Sequence, residues 1–201
     1  MFDKGTRHCE ISTPKACDAK QSIIAVVGPM AAGKNYICSQ MQAQGWAPVD
    51  ADLLVHDAIE LVKERILDTF IPYAEEQNIK LTKSDGSIDR RALGQLLFSF
   101  PDLLKVQESM VYPIIIQRIN EFIEIHEKTI INATVLYKTP ELLKRCQKIL
   151  FVTAPFLTRL RRARKRDHLS YRQIFSRFHE QRHLLEDYKK TGIPIEIINN
   201  I

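Results

Sequence analysis

The chain has 201 residues, 45% of them hydrophobic and 26% charged, the balance of a globular domain long enough to bury a real core. No apolar run nears the roughly 20 residues that span a bilayer, and residues 1–21 lack the apolar stretch of a secretory signal, so no membrane partner is expected. The net charge of +5 is mild and suits an anionic ligand, nucleotide or nucleic acid, without choosing between them.

Residues 1–21 are polar and aperiodic and read as a flexible extension. His8, Cys9 and Cys17 could in principle share a metal there, but an unstructured terminus is the preferred reading. The four cysteines, Cys9, Cys17, Cys38 and Cys146, show no C-x-x-C spacing. That argues against a disulfide framework or a four-cysteine zinc site and fits a reducing, cytoplasmic location.

The first strand is expected over 22–27. It stops at Gly28, and Gly28-Pro-Met-Ala-Ala-Gly33-Lys34 follows, satisfying G-x-x-x-x-G-K between a strand and a helix expected over 34–44. Such a loop turns backbone N–H groups and a helix N-terminus toward phosphates. Its glycines let the backbone approach closely, and Lys34 adds a point charge. Gly28, Met30, Ala31, Ala32, Gly33, Lys34, Asn35 and Tyr36 are therefore the candidate nucleotide-contacting residues. Asn35 stands where such loops carry the Ser or Thr that ligates Mg2+. Its amide oxygen is a weaker-placed ligand for Mg2+, and a degenerate loop that no longer turns over nucleotide is the rival reading.

A second strand over 46–50 ends in Val49-Asp50-Ala51-Asp52, with His56 one turn on. Carboxylates at a strand end sit where open α/β sheets bind ligands. Asp52 is the candidate base or hydroxyl-orienting residue. Asp50 is assigned to Mg2+ or substrate support, or to capping the next helix. Helices are expected over 53–70, 90–99, 101–125, 140–147, 156–166 and 170–190, and further strands over 129–133, 148–153 and 193–198. Strands alternating with helices predict a five-stranded parallel α/β sheet with helices on both faces. Residues 53–125 hold no convincing strand and read as a helical insertion. Residues 159–166, RLRRARKR, carry six basic side chains in eight. Arg159, Arg162 and Arg166 share one helical face, as in a lid that brings arginines onto phosphates. A solvated basic helix and a nucleic-acid patch are its rivals. His179 and His183, at i and i+4, read as lid surface ahead of a metal pair.

Asp85-Gly86-Ser-Ile-Asp89-Arg90-Arg91-Ala-Leu93, extended to Phe98, is similar to the D-G-x-(I/L)-D-R-x-x-L-x-x-x-x-F of dephospho-coenzyme A kinases, a family of P-loop nucleotide kinases. The D-A-D-and-histidine segment, Pro113-Ile114-Ile115, the R-x-x-x-R-D of Arg162 to Asp167, Gln181 and Asn199-Asn200 extend the resemblance over about 22–200. The chain departs from the family pattern in its glycine-poor loop, in Asn35 for Ser and in Tyr112 for His. It also has Asn132 to Lys138 (NATVLYK) for D-x-P-L-L-F-E, and Ile198 for Asp.

The resemblance implies the P-loop nucleotide-kinase fold. Its core would be 22–52, 126–155 and 191–201, with a helical acceptor-binding insertion over 53–125 and an Arg-rich lid over 156–190. It implies transfer of the ATP γ-phosphoryl group, with Mg2+, to the 3′-hydroxyl of dephospho-coenzyme A, the last step of coenzyme A biosynthesis. Lys34, Asp52, Arg162 and Arg166 would be catalytic. Asp50, His56, Arg90 and Tyr112 would face the substrate, and Asn35 and Asp50 the metal. No nucleic-acid partner is expected on this reading, and the oligomeric state is open. The alternatives are another small-molecule or nucleoside kinase, and a non-catalytic nucleotide-binding protein with a basic nucleic-acid-binding helix.

Overall fold

The structure is a computed structural model that describes residues 21–167 and 170–200; the expectations for His8, Cys9 and Cys17 lie outside the described residues. Five strands, β1 Ser22–Val27, β2 Ala47–Asp50, β3 Lys128–Ala133, β4 Lys148–Thr153 and β5 Ile195–Asn199, form one parallel sheet in the order β2-β3-β1-β4-β5. Central parallel strands are covered on both faces, which is why they read as unbroken apolar runs. Ile23 to Val27 are all buried.

Alternate residues of β1 serve the two faces. Ile24 and Val26 pack with Ile130, Leu150 and Val152, and with Cys38 of α1 (Lys34–Gln42). Ile23, Ala25 and Val27 belong to the larger core with α2 (Ala51–Leu61), α3 (Lys63–Glu76), α4 (Arg90–Ser99) and α5 (Pro101–Glu124). The parallel sheet with helices on both faces is therefore as expected. The chain before β1 is tied down at Gln21, whose side-chain amide donates to Ile123 O at 3.0 Å.

The helices expected over 34–44 and 140–147 end earlier, at Gln42 and Lys144, and two others differ more. The helix expected over 53–70 starts earlier, at Ala51, because Asp50 caps it and accepts from Leu53 N. It breaks at Val62 and resumes as α3, which runs on through Pro72 to Glu76; that proline removes one intrahelical hydrogen bond without ending the helix. The helix expected over 170–190 divides into α8 (Tyr171–Glu180) and α9 (Leu184–Lys189). The remaining helices are a 3-10 turn over Leu136–Lys138, α6 (Pro140–Lys144) and α7 (Phe156–Asp167).

Candidate active site at the phosphate-binding loop

The 28–34 loop lies between the carboxyl end of β1 and the start of α1. A Cβ at Gly28, where φ is +150°, would lie 2.1 Å from Val152 O of the neighbouring β4, so only glycine lets the loop leave the sheet there. At Gly33, with φ +99°, a Cβ would lie 1.9 Å from Nδ2 of Asn200. Asn200 crosses over the loop and donates to Ala32 O at 2.9 Å. The loop's glycine-poor middle has its own structural use. Met30 and Ala31 are buried against Ala163, Ile174 and Phe178 of α7 and α8. Ala31 takes a left-handed φ of +61°, uncommon for a residue with a Cβ.

Lys34 Nζ donates to Gly28 O and to Thr134 Oγ1, both at 3.0 Å. Thr134 Oγ1 in turn donates to Asp52 Oδ2 at 2.8 Å, and Thr134 N donates to Asp52 Oδ1 at 3.3 Å. A P-loop ammonium and a carboxylate are thus joined through one hydroxyl. Burial holds the Lys34 pKa below its ordinary value, while Asp52 and Asp50 pull it back up. Tyr188, fully buried on α9, braces the turn beneath. Its hydroxyl donates to Thr134 O at 3.0 Å and accepts from Leu136 N at 2.7 Å.

Asp50 and Asn132 are paired across β2 and β3. Asn132 Nδ2 donates to Asp50 Oδ2 at 2.9 Å and to Asn35 Oδ1 at 3.0 Å. Asn132 is buried, and its Oδ1 has no partner. Burial pushes the Asp50 pKa up, and the N–H of Leu53 partly offsets it.

The arginine-rich helix leans on the loop. Arg159 Nε donates to Met30 O at 3.0 Å, and its guanidinium lies over the Phe178 ring. Arg162 Nη1 reaches Ala32 O at 3.4 Å and Asn200 O at 3.3 Å. From the turn after α8, Gln181 Oε1 accepts from Met30 N at 2.7 Å. Between helix and loop lies a cleft of about 510 Å³, lined by Ala31, Gly33, Lys34, Asn35, Arg162, Lys165 and Arg166. The first N–H groups of α1, which no carbonyl of the helix can take, lie at this cleft. The arrangement can hold a polyphosphate against backbone amides and four cations, with a carboxylate one hydroxyl away.

A family model described as dephospho-CoA kinase matches residues 22–200. The chain belongs to the dephospho-CoA kinase family. A dephospho-CoA kinase of Treponema denticola is 37% identical over 184 residues, covering 89% of this chain and 82% of the relative. One of Treponema pallidum is 31% identical over 165 residues, covering 80% and 78%. Among solved structures, TT1252 from Thermus thermophilus superposes with a TM-score of 0.74 at 25% identity, over 90% of this chain and 89% of that one.

In this member of the dephospho-CoA kinase family, the residues expected on the substrate side fall into two groups. Asp52 and Tyr112 line one small cavity of about 40 Å³ between α2, α5 and the turn after β3. The Tyr112 hydroxyl donates to Glu108 Oε1 at 3.0 Å, and Lys138 Nζ donates to the same oxygen. Burial first, and Glu108 second, push the Tyr112 phenol pKa up. His56 and Arg90 sit further out on α2 and α4. Partial desolvation, then the Arg90 charge, hold the His56 imidazole below its usual pKa. Tyr36 is exposed on α1 and is not among the residues lining the cleft. Most of the D-G-S-I-D stretch builds structure. Asp85 accepts from Ser87, Gly86 takes a φ of +79°, and Asp89 caps α4.

Thr134 was not singled out by sequence reasoning, nor was Tyr188, and the positions of Gln181 and Asn200 on the loop were not foreseen. A hydroxyl just past a buried β3, beside a family motif, is the signal that could have found Thr134. Among the described residues no group of three or more His, Cys, Asp or Glu side chains could hold a metal. His179 and His183 both contact Arg182, and His183 also contacts Glu186.

Proposed function

We propose that this chain transfers the γ-phosphoryl group of ATP to the 3′-hydroxyl of dephospho-coenzyme A. The observation that carries the reading is the Lys34–Thr134–Asp52 line, which sets a proton acceptor beside the cation that meets the phosphates. Membership of the dephospho-CoA kinase family supports the choice of acceptor.

In-line phosphoryl transfer rests on positioning and charge neutralisation. The loop amides and Lys34 hold the β- and γ-phosphates, and Lys34 turns from Gly28 O toward them. Asp52 orients the acceptor hydroxyl and takes its proton as the oxygen attacks phosphorus and ADP departs. Arg162 and Arg166, carried by a lid formed from 156–190, neutralise charge on the transferring group and exclude water. Tyr112, His56 and Arg90 face the acceptor from the helical insertion.

Mg2+ would enter with ATP and would supply charge neutralisation to its phosphates. The corner beside Lys34 offers it two carboxylates, Asp50 and Asp52, whose charges reach the Lys34 ammonium. These fit a hydrated ion.

The test is incubation with ATP, Mg2+ and dephospho-coenzyme A, followed by mass analysis of the acceptor. A mass gain of one phosphoryl group on the ribose 3′-position is expected. ADP formed only with some other small alcohol would assign a different acceptor.

A further inference from the structure

The Asn35 amide has a fixed direction, and the chain of contacts beneath it sets that direction. Asp50 is a carboxylate, and its Oδ2 accepts the hydrogen bond from residue 132 at 2.9 Å. The atom of Asn132 that faces it must therefore be the NH2 group. The same nitrogen also contacts Asn35 at 3.0 Å, so the Asn35 atom on that side must be its carbonyl oxygen. The NH2 group of Asn35 is left on the opposite edge of the amide. Asn132 is buried, with 4% of its surface exposed, while Asn35 is exposed and lines the cleft with Lys34 and Arg166.

We infer that Asn35 is a phosphate-binding donor in place of a metal ligand, and that Asn132 is the positioning residue that turns its NH2 toward the nucleotide. This rests on the nucleotide site proposed above and deepens it. An amide NH2 at the N-terminus of α1 adds a donor for phosphate oxygens to the backbone amides already there. Its oxygen is already engaged by the Asn132 NH2. This role differs from the Mg2+ ligand that the sequence reading made of Asn35. The two asparagines act as a pair, because the Asn132 NH2 is the donor that holds the Asn35 oxygen and leaves the Asn35 NH2 free for phosphate.

The test is the affinity for ATP by calorimetry, once with Mg2+ and once with the metal chelated, so that no turnover is needed. Asn35→Ala should weaken metal-free and Mg2+-bound ATP by a similar factor, roughly tenfold or more, the scale of a hydrogen bond to a charged group. Asn35 is exposed, so this variant carries little risk to the fold. Asn132→Ala, which adds no charge beside the phosphates, should weaken both forms of ATP by a similar but smaller factor than Asn35→Ala, as the Asn35 amide loses its fixed direction. The inference is overturned if Asn35→Ala weakens Mg2+-bound ATP and leaves metal-free ATP unchanged, or if neither variant alters either affinity. Phosphorylation of dephospho-coenzyme A by the wild-type chain separates the two claims. Transfer with contrary titrations overturns the Asn35 role alone, while absence of ATP binding in both conditions overturns both.

Discussion

The hydroxyl of Thr134 lies 2.8 Å from Asp52 Oδ2 and donates to it. On its other side it accepts from Lys34 at 3.0 Å. Thr134→Val keeps the shape and removes this link. Turnover should fall by about tenfold, the scale of one hydrogen bond to a charged group, with a smaller change in ATP affinity. Steady-state rates and ATP titrations of the purified variant check this.

Tyr188 holds the same turn from below, through Thr134 O and Leu136 N. Tyr188→Phe leaves both backbone groups without that partner in a buried place. The expected cost is about 1–3 kcal/mol of stability, read from denaturant unfolding. Turnover should fall as well, because Thr134 loses its support.

Lys34 illustrates a cost of function. Burial lowers its pKa from 10.5, so the unfolded chain binds that proton more tightly than the folded one. The penalty is full below the folded pKa and fades as pH rises toward 10.5. Lys34→Met should therefore melt at an equal or higher temperature than the wild type near neutral pH, and the gap should narrow as pH climbs. Melting curves across alkaline pH test the sign.

The arginine helix offers an internal control. Arg162 lines the loop cleft, whereas Arg161 lines a separate groove with Arg164 and Tyr171. Arg162→Ala should cut turnover by at least about tenfold, as loss of a charge-stabilising donor does. Arg161→Ala should stay within about twofold, an exposed substitution away from the site. Equal, small effects at both positions would favour a merely solvated helix.

The sheet was legible because its strands bury both faces and so appear as apolar runs, as Ile23 to Val27 do. Gly28, Gly33 and Lys34 were legible because their spacing marks a phosphate loop. The hydrogen bonds of the site were not. Asp50 meets Asn132 through the β2–β3 register, and Thr134 meets Lys34 across 100 residues of chain. Only the assembled sheet brings such pairs together. The Pro-Met-Ala-Ala segment, a departure in the sequence, becomes intelligible once Met30 and Ala31 are seen packed against α7 and α8. Lys138, standing where the family has an acid, likewise finds its partner in Glu108.

The most direct test of the central claim pairs the wild-type chain with Lys34→Met, mixing each with ATP, Mg2+ and dephospho-coenzyme A and following the acceptor by mass. The wild type should add one phosphoryl group to the ribose 3′-hydroxyl, and the folded variant should do so slower by orders of magnitude. An unmodified acceptor with the wild type, or equal rates for the two proteins, would contradict the account.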